Sequence, residues 1–150
     1  MTTTAPTTTD VVYEWGRSAE LRYRRLGIGL SLNEMAEILG NNRRGLQRME
    51  HGQQPIPRPL WERIAEIDNW LDEAAFVIVK TAMRRAAARN QRLEDDGTIV
   101  EFDVTGPRSP DSAPNFDHLA LARAMRKYPQ IRPMYADDHA ALQENRAQQE

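Results

Sequence analysis

Apolar positions along this chain recur mostly at helical spacing, and short glycine-bearing breaks divide them. A threonine-rich stretch at 1–9 has the composition of a disordered tail. Residues 11–16 (VVYEWG) are apolar and aromatic and are expected to pack on a domain edge. Ser18 is placed to cap a helix over 19–26 with Leu21 and Leu26 inward, ended by Gly27 and Gly29. Ser31 precedes a second helix over 32–39. There Glu34 completes a capping box, and Met35, Ala36 and Leu39 form the inner face. Gly40 closes it. Asn41 or Asn42 starts a third helix over 43–51, with Leu46 and Met49 inward and Gly52 just beyond.

A proline-punctuated loop, 53–59, leads into a long helical pattern over 60–93. Its apolar positions, from Trp61, Ile64 and Ile67 through Leu71, Ala75 and Ile78 to Ala82 and Ala86, fall three and four apart. That exceeds an average helix severalfold, so it is expected to break once or to extend into a partner. Residues 98–104 alternate as a strand, with Val100, Phe102 and Val104 on one face. A loop with three prolines, 105–114, precedes a helix over 115–127 with Phe116, Leu119, Ala122 and Met125 inward. Residues 130–135 suit a short second strand that Pro133 confines to an edge. From 136 the chain is polar, and one helical turn is expected before it frays. The fold class is mainly α: an N-terminal helix-turn-helix bundle, a long helix and a small α+β dimerisation tail. Three segments follow: a flexible tail at 1–16, a DNA-binding domain at 17–58 and a dimerisation region at 59–150.

Composition narrows the chemistry. Among 150 residues there is no cysteine, which excludes disulfides, thiolate zinc sites and cysteine nucleophiles. No apolar run approaches the roughly 20 residues that span a bilayer, so no membrane role is expected. The first residues lack the basic and apolar regions of a secretory signal, so a cytoplasmic location is expected. His51, His118 and His139 have no ligand-like spacing, and no catalytic motif is present. Neither an enzyme, a metal nor a cofactor is therefore expected.

The net charge of −2 conceals a polarised distribution. Residues 17–58 hold eight arginines against four glutamates, whereas 59–150 hold twelve basic and sixteen acidic residues. On the third helix Arg44, Gln47 and Arg48 share a face opposite Leu46 and Met49, with Asn42 and Arg43 at its start. An α-helix fits the major groove of B-DNA. Arginine grips guanine with two hydrogen bonds and glutamine does the same for adenine. The helix start also favours phosphate.

The run LSLNEMAEILGNNRRGLQRMEHG resembles the Cro/CI-type (XRE-type) helix-turn-helix family. Ala36 stands at the family's small residue, Gly40 at its turn glycine, and Leu46 and Met49 at its buried recognition-helix positions. Glu50-His51-Gly52 matches the closing acid-x-glycine, and Arg25 stands where the family places that acid's arginine partner. Leu32 and Asn41 depart from the family's habitual glutamine and apolar turn residue. The resemblance implies double-stranded DNA as partner. It implies DNA contacts from Ser31, Asn42, Arg43, Arg44, Gln47, Arg48 and His51, and a structural ion pair between Arg25 and Glu50. A homodimer is expected because the 60–93 helix, with Trp70 and Val77 off its inner stripe, carries more apolar surface than one small head covers, and because the strand at 98–104 needs a partner that a second copy could supply. After the run HGQQPIP at 51–57 come a tryptophan-bearing helix and then a strand, a proline loop, a helix and a short strand; this order resembles YdiL-like proteins and anti-CRISPR-associated autorepressors, which end in a small dimerisation region. The expected function is a phage or bacterial transcriptional repressor acting on an inverted repeat. A small-terminase-type DNA-packaging subunit and an antitoxin fit the same layout. A second arginine stripe (Arg84, Arg85, Arg89, Arg92) is a further candidate for nucleic-acid contact, with the nearby acids Glu94, Asp95 and Asp96 as alternative partners.

Overall fold

In the computed structural model, which describes residues 11–104 and 116–149, short helices dominate the N-terminal part as the glycine breaks require. The expectations for the tail at 1–9, the loop at 105–114 and the ring of Phe116 lie outside the described residues. The element order is β1 (Tyr13–Glu14), α1 (Ser18–Ile28), α2 (Leu32–Leu39), α3 (Arg43–Glu50), β2 (Ile56–Pro57), α4 (Arg58–Ala88), β3 (Val100–Asp103), α5 (Phe116–Lys127), β4 (Ile131–Met134) and α6 (Ala136–Gln149). Among the described residues the fold is mainly helical with two small sheets. None of the described helices is long and apolar enough to cross a membrane.

The chain divides into two units, Met1–Asn69 and Trp70–Glu150, so the division falls within α4 rather than at 58/59. In the first unit Leu21, Met35, Leu39 and Leu46 are fully buried, drawing one core residue or more from each of α1, α2 and α3. Leu60 and Ile64, from the first turns of α4, are buried as well. The flexible segment expected at 1–16 is corrected at its end: Tyr13 and Glu14 pair antiparallel with Pro57 and Ile56.

Several helix limits differ from the sequence pattern. Ser18 does not cap α1; Arg17 holds the N-cap position, and its guanidinium binds Glu14 and Glu20 instead. α1 also runs through Gly27 and ends at Gly29, whose φ of 96° only glycine adopts without strain. The added residues bring Ile28 into the core on the same face as Leu21 and Arg25, while Leu26 is left exposed. α4 does not break, and it ends at Ala88 rather than near 93. Asn90, with φ of 59°, turns the chain there, and Leu93 folds back into the second core.

That second core gathers Ala75, Val79, Ala82 and Ala86 of α4 with Val100, Leu121, Ala124 and Ile131. The inner face of α5 is Ala120, Leu121 and Ala124; Ala122, expected inward, is exposed. β3 and β4 are parallel, with Val100 opposite Ile131 and Asp103 opposite Met134, and α5 supplies the crossover that parallel strands need. β3 therefore finds its partner within the chain. α6 is fourteen residues long, not one frayed turn, yet none of its residues is buried.

Candidate nucleic-acid interface

Local sequence sets the frame of α2 and α3. The Ser31 hydroxyl accepts from the Glu34 N–H at 3.2 Å, and the Glu34 carboxylate accepts in return from the Ser31 N–H at 3.3 Å, forming the capping box. Gly40, with φ of 68°, ends α2 in the left-handed conformation. Of the two asparagines, Asn42 caps α3: its Oδ1 accepts from the Arg44 N–H at 2.9 Å. Arg63 of α4 donates to the Ile38 carbonyl at 3.3 Å, near the end of α2.

One buried pair sets where α3 stands. Arg25 donates through Nε and Nη2 to the two oxygens of Glu50, each at 2.9 Å, and through Nη1 to the Leu30 carbonyl at 3.0 Å. The side chains are 10% and 3% exposed. The guanidinium thus ties α1, the α1–α2 turn and the last residue of α3 together.

With Leu46, Met49 and Glu50 buried, Arg43, Arg44, Gln47 and Arg48 are turned to the exterior. Asn42, Arg43, Arg44 and Gln47 line one open depression of about 420 Å³ at the start of α3. Arg48 is exposed on the same helix but does not line it. Ser31 is exposed, with its hydroxyl engaged by the cap. His51 lies past the far end of α3, about 12 Å from Arg43 at 1.5 Å per residue. The structure thus gathers four of the seven predicted contact residues in one depression; Arg48, on the same helix, Ser31 and His51 do not line it.

Charge pairing separates these arginines from most of the unit's others, although Arg22 is likewise exposed with no ion pair among the described residues and Arg63 binds a carbonyl. Arg17, Arg24, Arg25 and Arg58 all bind carboxylates. Among the described residues Arg43, Arg44 and Arg48 form no ion pair, so their charge on α3 is uncompensated. The other arginine stripe differs at three of its four members, since Arg84 is exposed and also forms no ion pair among the described residues. Arg85 donates to the Glu101 carbonyl and covers the Phe102 ring, Arg89 donates to the Ile99 carbonyl, and Arg92 pairs with Glu94.

Two charged clusters were not singled out in the sequence. Glu14, Arg17, Glu20 and Arg24, spaced three and four apart, form a chain of ion pairs, and the Arg17 guanidinium lies 3.9 Å from the Trp61 ring centre. The hydrogen bond from Arg17 brings the Glu20 carboxyl down to about 2. The spacing was legible; the Trp61 contact was not. His139 of α6 meets two β3 carboxylates, with Nε2 2.8 Å from Asp103 Oδ1 and Nδ1 3.5 Å from Glu101 Oε2. The Asp103 hydrogen bond is the main cause that raises the imidazole above its ordinary value. No group of three metal-ligating His, Asp or Glu side chains occurs among the described residues.

No protein family, curated protein or solved structure matches this chain.

Proposed function

We propose that this chain is a sequence-specific DNA-binding transcriptional regulator, a repressor of the Cro/CI helix-turn-helix type. It binds an inverted-repeat operator as a homodimer and reads the major groove with α3. The observation that carries this reading is the uncompensated face of Arg43, Arg44, Gln47 and Arg48 on a helix whose other face is buried. A basic face that serves the fold pairs with carboxylates, as Arg17, Arg24 and Arg58 do in the same unit. An unpaired one suits phosphates and guanine edges, to which arginine offers a planar fork of donors.

Homodimerisation rests on α4. Trp70 and Val77, two turns apart, are 47% and 60% exposed on the side away from Ala75 and Ala82. The pairing of β3 with β4 removes the need for a strand from a second copy, so this apolar stripe carries the dimer alone. The same long helix and stripe also suit a ring of the small-terminase type, which a sedimentation mass separates from a dimer.

The test is a footprint on the DNA upstream of the protein's own gene. A protected inverted repeat, with affinity falling steeply as salt rises, is the expected result. Equal affinity for every duplex, or no binding at low salt, overturns the proposal.

A further inference from the structure

The second unit holds a concavity between α4 and α5 of about 440 Å³, within the roughly 300–1,000 Å³ typical of small-ligand sites. Short floor residues account for it. Ala75 and Ala124 are buried where the two helices face each other, and neither fills the space between them. Phe76, Met83 and Tyr128 stand as apolar walls, and Phe76 is 58% exposed.

The rim is cationic. Arg123 is committed to Asp72 at 2.8 Å. That leaves Lys80 and Lys127, neither of which is ion-paired among the described residues. They are the only two lysines among the chain's twenty basic residues, far apart in sequence, and the fold brings both to this groove. The Lys80 ammonium sits 4.9 Å from the Phe76 ring centre, above the apolar wall. Lysine suits this position: its stem lies along apolar surface, and its three donors follow an anion that is not held in one fixed geometry.

We infer that this groove binds a small amphipathic anion, an apolar body carrying one carboxylate, with the body over Ala75, Val79 and Ala124 and the carboxylate between Lys80 and Lys127. Size favours a small molecule over a macromolecule. Ten residues line the groove, against roughly 20–30 a side in a stable protein interface. The site lies wholly in the second unit and does not depend on the DNA-binding reading of α3.

The experiment is an amide NMR titration of the full chain with sodium octanoate, with octyltrimethylammonium as the cation of similar apolar body. Saturable shifts centred on Ala75, Val79, Met83, Ala124 and Tyr128 are expected for octanoate and not for the cation. The exposed double variant Lys80→Gln/Lys127→Gln should bind about tenfold more weakly, and Lys80→Arg/Lys127→Arg should retain binding. Circular dichroism confirms that both variants keep their helices; the two single Gln variants replace a double variant that does not. The assignment is overturned by equal binding of the cation, by full binding in the Gln variants, by shifts centred elsewhere, or by no octanoate binding. Saturation of the groove by an acidic peptide but not by octanoate also overturns it, in favour of a protein partner.

Discussion

Arg25 is the residue on which the placement of α3 turns. Its guanidinium is buried with three hydrogen bonds made, two of them to Glu50. Glu50→Ala leaves that charge buried without its partner, so stability should fall by about 3–5 kcal/mol, measured by urea unfolding. The double variant Arg25→Met/Glu50→Leu should cost much less than the two single changes added together, because it removes both charges at once. Arg44 and Arg48 belong to the opposite case. They are exposed and unpaired, so Arg44→Ala and Arg48→Ala should leave the urea midpoint unchanged. Each should weaken specific operator binding by about 1–3 kcal/mol, read by fluorescence anisotropy; wild-type affinity in both would remove α3 from the groove.

At the scale of elements, α6 depends on charge where the other helices depend on burial. None of its residues is buried, and His139 reaches Asp103 and Glu101 of β3. Within α6 the adjacent Asp138 also raises the imidazole's affinity for its proton. Because folding raises the value, the contact contributes fully below the ordinary imidazole value of 6.5 and is lost as pH climbs through the higher folded one. An NMR titration of the His139 ring should therefore give a midpoint above 6.5, and amide exchange in α6 should quicken, beyond its intrinsic rise, as pH passes through that midpoint. His139→Gln should abolish that pH dependence; a midpoint at or below 6.5 would show that the carboxylates do not hold the ring. The glycine-and-cap logic of α2 was legible in the chain because both partners of its capping box lie within one turn. The end of α1 was not, since Gly27 and Gly29 are equal as helix breakers and only the burial of Ile28 selects the second.

For the whole molecule, the first unit extends through Asn69. Leu60 and Ile64 are buried, and Trp61 lies under Arg17. A fragment of residues 11–69 should keep its helices and unfold cooperatively, whereas one ending at 57 should lose much of its ellipticity. Equal melting of the two fragments would place the boundary back at 58/59. The fragment 11–69 should also lose most operator affinity, because two linked heads multiply their binding through effective concentration. In the full chain, Trp70→Glu/Val77→Glu should halve the mass measured by light scattering. The proposed twofold dimer sets half-sites about 34 Å apart, near 10 base pairs, or a multiple of that. Inserting about five base pairs should abolish tight binding and about ten should restore part of it; indifference to the five-base-pair insertion would exclude that arrangement.

By itself the sequence determined the features that rest on neighbours within one or two turns. These are the turn at Gly40, the Ser31–Glu34 box, an asparagine cap at 41 or 42 and the face shared by Arg44, Gln47 and Arg48, all set by helical periodicity and local hydrogen bonding. The Arg25–Glu50 pair was implied by resemblance alone, and it is the packing of α1 against α3 that makes it bidentate and buried. Only the tertiary structure decided the rest. It joined Tyr13 to Pro57 and β3 to β4, turned Ala124 inward in place of Ala122, and brought Lys80 and Lys127 to one groove. Contacts between residues far apart in sequence leave no periodic trace in the chain, because their energy depends on which surfaces remain to be covered once the local elements have formed.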